Sequence, residues 1–302
     1  MADQSSPGLS VVVPTRNRAE KLRRCLDALA AQRADVEVEV VVVDDGSTDD
    51  TPEVLARFPA IETVRRTAGG RAAARNPAVE RARAPLVLFL DDDVVATEGL
   101  LQRHLDHHRR HPEEREALVG LVTWAPELDI TPHMLWLEDG GPLFSFNTID
   151  DPEDVDWHHF CTANVSLKRS FLPPDPFDED LRRCVDIELG YRLSQRGMRL
   201  RYDARAVGHH LRVDTPESTE ARMREVGRAM RQVHVKHPEL VEPPPPFTTL
   251  SHVKAAAARP AAPVLQRLGS SRLQERLYSY RAARGFAHGY AEGPSGNGGA
   301  RR

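Results

Sequence analysis

Short apolar runs alternate with amphipathic stretches through the first hundred residues of the chain. Four runs have the length and composition of buried β-strands, at 9–13, 36–43, 61–66 and 85–90. The stretches between them place apolar side chains at helical spacing, and the clearest set is Leu22, Cys25, Leu26 and Leu29. Strands that alternate with helices in this way predict an α/β fold with a mainly parallel sheet.

The boundary between the first strand and the first helix carries its own signals. Pro14 is expected to stop the strand, because proline cannot donate to a ladder of hydrogen bonds. Asn17, with Glu20 three residues later, has the pattern of a capping box for the helix.

The second half of the chain is less regular. Residues 124–159 are rich in proline, glycine and acids and predict a long loop. A strand with a turn is predicted at 160–172, a helix at 178–197 and another strand at 198–211. In the helix, Val185, Leu189 and Leu193 share one face, and Gly197 is expected to end it.

Three polar clusters directly follow predicted strands. They are 14–17 (PTRN), 44–50 (DDGSTDD) and 91–93 (DDD). Open parallel sheets bind ligands beyond the carboxyl ends of their strands. We therefore expect the three clusters to lie at one edge of the sheet and to form a binding site.

The triplet Asp91 to Asp93 follows a strongly apolar run. Burying carboxylates is costly unless a cation or hydrogen-bond donors meet them. Carboxylates at alternate positions can share one Mg²⁺ or Mn²⁺, which prefer oxygen ligands and leave positions for phosphate oxygens. A solvated turn is the alternative, and the triplet alone does not decide between the two.

Asp44 and Asp45 also allow two interpretations. The cluster that they begin is full of turn-forming residues, so an ordinary Asx-type turn is one of them. An EF-hand is excluded, because its sixth and twelfth positions would be Asp49 and Leu55 instead of glycine and glutamate. An aspartyl nucleophile of the phosphatase type is excluded by the lack of a D-x-D pattern. A carboxylate that accepts a hydrogen bond from a ribose or a base is the functional alternative.

Composition and charge narrow the class of protein. The 302 residues suffice for one or two domains, and the net charge of −4 argues against nucleic acid as a partner. Cys25, Cys161 and Cys184 form no C-x-x-C pair, which predicts neither disulfides nor zinc and fits a reducing, cytoplasmic compartment. We expect no signal peptide, and the longest apolar runs are too short for a membrane span.

Together the motifs resemble those of the family-2 glycosyltransferases. The matching segments are 11–18 (VVVPTRNR), 41–51 (VVVDDGSTDDT), 69–76 (GGRAAARN), 89–94 (FLDDDV), 162–170 (TANVSLKRS), 185–197 (VDIELGYRLSQRG) and 206–210 (AVGHH). The resemblance implies an α/β GT-A-type single domain with a Rossmann-like sheet, an acceptor-side α+β half and a helical C-terminal extension. We expect a nucleotide-sugar-binding half at 8–100, an acceptor-binding and catalytic half at 101–240, and the extension at 241–302.

The resemblance also assigns roles in donor and metal binding. The residues implied to bind a nucleotide-diphospho-sugar are Pro14, Thr15, Arg16, Asn17, Asp44, Asp45, Arg75, Asp91 and Asp92. Asp93 and Asp92 would hold Mg²⁺ or Mn²⁺, which neutralises the departing diphosphate. A late histidine is implied as a further metal ligand. We prefer His209, which directly follows Gly208, because His210 would point to the opposite face of a strand.

Asp186 is the general base that the resemblance implies. It would deprotonate an acceptor hydroxyl, which then attacks the anomeric carbon in one inverting displacement. The family has two adjacent acids here, but Val185 replaces the first of them, which puts acceptor contacts of the family type in question. A plain stabilising role in the first helical turn is the alternative. Glu188 lies on another side of the helix and is expected to pair with Arg192.

The acceptor and the exact reaction are less well specified. Asn164 and Trp157 are implied on the acceptor side, although Trp157 fits a core position equally well. The expected enzyme is of the hexosyltransferase type, and its acceptor is a sugar, a lipid-linked compound or a small molecule. A catalytically inactive sugar-nucleotide-binding or scaffold protein is an alternative that Val185 supports. A nucleotidyltransferase is disfavoured, because no glycine occurs in 14–21.

The C-terminal segment differs in charge from the rest of the chain. From residue 243 onward, nine Lys or Arg stand against two acids, and leucines and tyrosines add apolar surface. A dimer element, a surface helix or a peripheral anchor at the inner face of the membrane would each explain this composition. The oligomeric state does not follow from the sequence.

Overall fold

Two units make up the fold of this chain. The structure, a computed structural model, describes residues 7–139, 141–143, 145–240, 243–244 and 271–293. The sheet unit comprises Met1–Asp129 and Phe144–Arg212, and the helical unit comprises Ile130–Leu143 and Val213–Arg302.

Eight strands form one sheet in the sheet unit. They are β1 (Leu9–Thr15), β2 (Val38–Asp44), β3 (Glu62–Arg65), β4 (Leu86–Leu90), β5 (Val94–Ala96), β6 (Glu116–Trp124), β7 (Asn164–Lys168) and β8 (Arg199–His210). Their order is β3-β2-β1-β4-β7-β6-β8-β5. The pairs β1–β2, β1–β4, β2–β3 and β6–β8 are parallel, whereas β7 is antiparallel to β4 and β6, and β5 is antiparallel to β8. The predicted α/β fold with a mainly parallel sheet is confirmed.

The α-helices belong to both units. Those of the sheet unit are α1 (Ala19–Ala30), α2 (Thr51–Leu55), α3 (Arg71–Arg81), α4 (Leu100–Arg110) and α6 (Val185–Gln195). Those of the helical unit are α5 (Pro132–Glu138), α7 (Pro216–Lys236) and α8 (Ser271–Glu292). Short 3₁₀ helices occur at Phe146–Thr148, Trp157–His159 and Arg169–Phe171. Helix α1 buries Leu22, Cys25, Leu26 and Leu29, as their spacing predicted.

The direction of the strands brings the polar clusters together. β4 is buried along its whole length, because both of its neighbours in the sheet and the helices cover it. β1, β2 and β4 run in the same direction, so Thr15, Asp44 and Asp91 lie at one edge of the sheet. β8 also runs in this direction, since the antiparallel β7 separates β4 from the parallel pair β6–β8. His210, at the end of β8, therefore reaches the same edge.

Two predictions for the boundary between β1 and α1 do not match the structure. β1 continues through Pro14 to Thr15, because Pro14 lies opposite Val43 in the last part of the strand. Arg18 occupies the position before α1 and its side chain makes no capping bond, so the predicted capping box is wrong. The N–H of Ala19, the first residue of α1, instead donates to Asp49 Oδ2 at 3.2 Å. Asn17 instead accepts a hydrogen bond of 2.7 Å from the Thr48 N–H and thereby ties two loops at the sheet edge together.

The predicted long loop also contains regular structure. Residues 132–138 form α5, whose first turn is capped by Thr131, with its side-chain oxygen 3.3 Å from the Met134 nitrogen. The helices α4 and α7 and the strand β6 were not predicted from the sequence. In α4 and α7, His and Arg interrupt the apolar residues. The strand at β7, the end of α6 at Gly197 and the strand β8 agree with the predictions, but α6 begins at Val185 and not at residue 178.

The helical unit is held together by close helix packing and ion pairs. α7 and α8 approach closely at glycines, and a Cβ atom added to Gly289 would lie 1.8 Å from the Arg224 carbonyl oxygen. Arg281 of α8 pairs with Glu217 and Glu220 of α7. Within the residues described, no helix is both long enough and apolar enough to cross a membrane. The Pro-rich break and most of the basic segment lie outside the described residues.

Candidate functional site

A cavity of about 250 Å³ lies where the strand ends converge. Its lining residues are Pro14, Thr15, Arg16, Arg18, Asp45, Gly70, Ala74, Arg75, Asp91, Asp92 and Arg182. The predicted donor-binding residues therefore meet at this cavity, with two exceptions: Asn17 and Asp44 are absent from its lining. All lining residues before Arg182 come from the first hundred residues of the chain.

Arg75 places a buried positive charge at the cavity. α3 carries its side chain, which is 1% exposed, and Nη2 donates a hydrogen bond of 2.6 Å to Asp91 Oδ1. Among the described residues, Arg75 Nε and Nη1 have no hydrogen-bond partner, although both atoms are buried. Buried guanidinium N–H groups are costly to leave unsatisfied, so these two atoms are donors suited to an anionic ligand.

Asp92 and Asp93 form a buried acid pair behind the cavity edge. Only 4% of Asp92 and 3% of Asp93 is exposed. Thr15 Oγ1 donates a bond of 2.7 Å to Asp92 Oδ2. Arg18 Nη1 bonds Asp92 Oδ1 at 2.9 Å and Asp93 Oδ2 at 2.6 Å, and Lys21 Nζ lies 3.8 Å from the same Oδ2 atom. The cations that the buried acids require therefore come in part from the start of α1.

The histidine beside this acid pair is His210. Its Nε2 lies 3.4 Å from Asp93 Oδ1, and its ring stacks on Trp124 at 5.7 Å between centroids. β5 and β8 pair at Val94 and His210, and the Leu211 N–H donates to the Asp93 carbonyl oxygen at 2.8 Å. His209 extends to the opposite face, because neighbouring residues of a strand alternate. The structure thus places His210, and not His209, against Asp93.

Asp45 organises the loop that precedes α3. Its two carboxylate oxygens each accept a bond of 2.8 Å, Oδ1 from the Gly69 N–H and Oδ2 from the Gly70 N–H. Gly70 has a φ of 100°, a conformation that other residues rarely adopt. Because Asp45 also lines the cavity, it couples the end of β2 to the helix that carries Arg75.

Asp44 is buried next to Asp45. The Ser47 N–H donates a bond of 2.8 Å to its Oδ1 atom. Its Oδ2 atom is buried and has no hydrogen-bond partner among the described residues, with Arg65 Nε at 3.6 Å. The local bond to Ser47 is the Asx-type turn, and the Oδ2 atom remains available to accept a further hydrogen bond.

The electrostatic environment shifts the pKa values of Asp92 and Asp93 in opposite directions. Burial raises the pKa of Asp92. The charge of Arg18 opposes this shift, whereas the negative charges of Asp93 and Asp91 add to it. Burial would also raise the pKa of Asp93, but His210, Arg18 and Lys21 together hold it well below the ordinary value. Asp93 is therefore a carboxylate at neutral pH and keeps the charge that a metal ligand needs.

The residues at this edge fit a divalent ion whose remaining coordination positions are open to phosphate and water. Carboxylate oxygens with one imidazole nitrogen form a donor set that suits Mn²⁺ and Mg²⁺. Within the described residues, the tight group of three His, Cys, Asp or Glu ligands is His111, Glu113 and Glu116, so Asp92 and Asp93 do not form a closed cage. Mg²⁺ typically uses one or two carboxylates and takes the rest from phosphate and water, which this open arrangement permits.

Asp186 lies near the cavity on the first turn of α6. It is half-buried, and its Oδ1 atom accepts a bond of 3.0 Å from the Ile187 N–H. Burial raises the pKa of its carboxyl group, the Arg75 guanidinium lowers it, and the Asp91 charge raises it. A carboxyl group with a raised pKa is a stronger base than an ordinary aspartate, which suits proton abstraction.

The neighbours of Asp186 have structural roles. Val185 is buried in the core, which explains how an apolar residue is accommodated where the family has an acid. Glu188 is 2% exposed and receives two bonds from Arg192, at 2.7 and 2.8 Å. The predicted pairing of Glu188 with Arg192 is confirmed, and it leaves Asp186 as the acid of this turn next to Arg75 and Asp91.

The two residues predicted on the acceptor side differ in accessibility. Asn164 is 0% exposed, and its amide bonds His104 and the carbonyl oxygens of Leu121 and Ala206. Because all these partners belong to the protein, Asn164 supports the sheet and is not available to an acceptor. Trp157 is half-exposed and contacts the Tyr191 ring of α6 at 5.4 Å between centroids.

Three residues at the site were not singled out in the sequence. Arg18 belongs to a matching segment, but its contact with Asp92 and Asp93 depends on the path of the chain after β1. Arg182 lines the cavity from the loop before α6. The doublet of arginines at 182–183, shortly before the predicted base Asp186, is the signal that could have identified it. His210 required the register between β5 and β8.

Comparison with known proteins agrees with this architecture. A family model described as glycosyl transferase family 2 matches residues 10–170, more than half of the chain. Validoxylamine A glucosyltransferase of Streptomyces hygroscopicus subsp. jinggangensis is 35% identical over 226 residues, which cover 64% of this chain and 52% of that protein. The chain therefore spans about half the length of this relative.

Solved structures share the fold at low sequence identity. A mannosyltransferase from Pyrobaculum calidifontis in complex with GDP-Man and Mn²⁺ has a TM-score of 0.59 and 20% identity over 96% of this chain and 89% of that one. TarS 1-349 of S. aureus in complex with UDP has a TM-score of 0.53 and 17% identity over 94% and 90% of the two chains. These likenesses establish the GT-A-type fold.

Proposed function

Because the chain belongs to glycosyl transferase family 2, we propose that it transfers a sugar from a nucleotide-diphospho-sugar to an acceptor hydroxyl. The observation that carries the proposal is the cavity at the sheet edge, where Asp45, Asp91, Asp92 and the buried Arg75 meet. This combination offers acceptors for a nucleoside, carboxylates for a metal ion and a fixed cation for phosphate.

The donor nucleotide is proposed to occupy the ends of β1 and β2. Thr15, Arg16 and Asp45 line the cavity there, and Asp44 Oδ2 is the buried acceptor next to them. Arg75 Nε and Nη1 would donate to the phosphates. Pro14 lines this wall of the site, and Asn17 holds the neighbouring loop through its bond with the Thr48 N–H. We propose residues 8–100 as the donor-binding half and residues 101–240 as the acceptor-binding and catalytic half.

A divalent ion, Mg²⁺ or Mn²⁺, is proposed to complete the donor site. Asp93 and Asp92 would hold it, with His210 in place of His209, because Nε2 of His210 lies 3.4 Å from Asp93 Oδ1. When bound, such an ion neutralises the charge that develops on a departing diphosphate. The Pyrobaculum calidifontis complex, which contains GDP-Man and Mn²⁺ in a similar fold, supports this assignment.

Asp186 is proposed to act as the general base. Its raised pKa and its position near Arg75 and Asp91 support this role. The carboxylate would take the proton of the acceptor hydroxyl as the oxygen attacks the anomeric carbon from the face opposite the diphosphate. One displacement of this kind inverts the anomeric configuration and needs no covalent intermediate.

The acceptor is proposed to approach past Trp157. Its ring, with that of Tyr191 on α6, forms a half-exposed aromatic surface near the helix that carries Asp186. Aromatic faces bury the apolar side of a sugar ring, which fits a sugar, lipid-linked or small-molecule acceptor. We propose a peripheral membrane contact for the basic C-terminal segment, in which Arg281 and Arg284 of α8 already pair with acids of α7.

A thermal-shift screen tests the proposed donor. The purified protein is heated with UDP-, GDP- and dTDP-sugars, in Mn²⁺ and in EDTA, with the matching nucleoside monophosphates as controls. A ligand at a hundred times its Kd stabilises a fold by about 2.7 kcal/mol, which raises Tm by several degrees. No response to any diphosphate would contradict the proposed function. If the protein binds a nucleotide-sugar but transfers the sugar to none of the acceptors, the result favours the catalytically inactive nucleotide-binding alternative.

Replacement of Arg182 by Gln is expected to weaken binding of the donor diphosphate. Arg182 lines the same cavity as the acids Asp91 and Asp92, and it adds a positive charge to the wall of the space that the phosphates would fill. Loss of one charge-assisted hydrogen bond raises Kd about tenfold. Isothermal titration with UDP and UMP in Mn²⁺ measures the effect.

Arg183→Gln is the matched control for this prediction. Arg183 is the adjacent residue and does not line the cavity. The affinity for UDP should fall only in Arg182→Gln, and the affinity for UMP should change less than that for UDP. Equal losses in both variants would show that the loop is generally perturbed and that Arg182 has no specific role.

A further inference from the structure

Arg18 holds the two carboxylates that we propose as ligands of the divalent ion. Its Nη1 atom lies 2.9 Å from Asp92 Oδ1 and 2.6 Å from Asp93 Oδ2. Lys21 adds a second cation, with Nζ 3.8 Å from Asp93 Oδ2. Side chains of the protein therefore balance this acid pair before any ligand enters the cavity.

A divalent ion and the Arg18 guanidinium compete for these oxygens. Like charges held close together between buried acids repel strongly, because the surroundings screen them little. Arg18 and Asp92 line the cavity, whereas Asp93 does not. An ion in the cavity therefore has Arg18 and Asp92 at the cavity wall, and it must displace the Arg18 guanidinium from Asp93 to bind that carboxylate.

The Arg18 side chain is suited to a second position. It is 30% exposed and already lines the cavity, so its guanidinium borders the space proposed for the donor phosphates. Its backbone is anchored at the position before α1, while the side chain is long and flexible. A guanidinium presents a planar fork of N–H groups that matches phosphate oxygens as well as carboxylates.

We propose that Arg18 exchanges partners during donor binding, an inference that rests on the proposed function. In the free protein Arg18 neutralises Asp92 and Asp93. When the divalent ion takes these carboxylates, the guanidinium moves to the diphosphate of the nucleotide. The exchange makes ion and nucleotide depend on each other, since each increases the affinity for the other by the same factor.

Binding measurements on Arg18→Gln test the exchange. Free Mn²⁺ is quantified by electron paramagnetic resonance without nucleotide, and UDP and GDP are titrated by calorimetry at saturating Mn²⁺. Removal of the competing cation is expected to tighten Mn²⁺ binding in the absence of nucleotide by about fivefold or more. Loss of the phosphate contact is expected to weaken nucleotide binding about tenfold. The two affinities thus move in opposite directions.

Two further variants separate the exchange from a structural ion pair. Arg24→Gln removes an arginine of the same helix that pairs with Glu127, and it should change neither affinity. Arg18→Lys keeps a cation, so it should bind Mn²⁺ as weakly as the wild type, but it loses the bidentate fork and should bind UDP more weakly.

The outcomes are distinct for the two proposals. If wild-type protein binds neither UDP nor GDP with Mn²⁺, the proposed function fails. If the wild type binds a nucleotide and Arg18→Gln binds Mn²⁺ no more tightly, or loses both affinities while remaining folded by circular dichroism, the exchange is overturned. If Arg18→Gln does not fold, Arg18→Lys decides, and an unchanged affinity for UDP in that variant overturns the exchange.

Discussion

Replacement of Asp186 by Asn is expected to lower kcat by about a hundredfold to ten-thousandfold, the usual contribution of a general base. The amide has the same shape but cannot accept the proton of the acceptor hydroxyl. Because Asp186 is not part of the cavity lining, Kd for the donor nucleotide should stay within about twofold of the wild-type value. Asp180→Asn, at an exposed position of the loop before α6, is the matched control.

The pH dependence of kcat provides a second test of Asp186. Burial raises the pKa of this carboxyl group, so the rate should begin to fall on the acid side at a higher pH than for an ordinary aspartate. Each pH unit below that pKa lowers the deprotonated fraction about tenfold. The acid limb should disappear in Asp186→Asn. A variant that kept the full rate and the same profile would remove Asp186 as the base.

Replacement of Asp93 by Asn is expected to have the second-largest effect on the reaction. The substitution removes the charge that faces Arg18, Lys21 and His210. A bound metal ion supplies several kcal/mol of charge stabilisation, and a loss of about 3 kcal/mol slows the reaction roughly a hundredfold. The increase in Tm that Mn²⁺ and donor together produce should also be lost.

Controls separate loss of the metal from loss of the fold. Asp27→Asn removes an exposed acid of α1 that pairs with Arg23, and it should leave activity and the Mn²⁺ response unchanged. Circular dichroism shows whether Asp93→Asn is folded, since the substitution leaves Arg18 and His210 next to a neutral amide. A folded variant with the wild-type response to Mn²⁺ would contradict the assignment of Asp93 as a ligand.

Much of the fold and of the donor site could be predicted from the sequence. The continuous apolar run predicts the buried strand β4, and the helical spacing of apolar residues predicts α1. Both patterns follow directly from which side chains are buried. Parallel strands align their carboxyl ends, so the clusters after β1, β2 and β4 were expected to meet, and the cavity lining agrees. Helix α5 was missed because a short helix among prolines and acids has little periodicity.

The choice between the two histidines could not be made from local sequence patterns alone. Alternation along a strand correctly implies that His209 and His210 face opposite sides, but it does not show which of the two faces Asp93. The pairing of Val94 with His210 decides this, since it brings the His210 ring beside Asp93. Asn164 is similar: only the packing of His104 against it reveals that its amide is already satisfied.

The sequence by itself determined the α/β fold, the three acidic and polar clusters at the ends of its strands and the family to which they belong. These features follow from short-range periodicity and from motif spacing, which a linear chain displays. Only the tertiary structure decided which cation meets each carboxylate of the triplet: Arg75 for Asp91, and Arg18 for Asp92 and Asp93. The physical reason is that an ion pair depends on distance in space and on burial, and these partners lie 16, 74 and 75 positions apart in the chain.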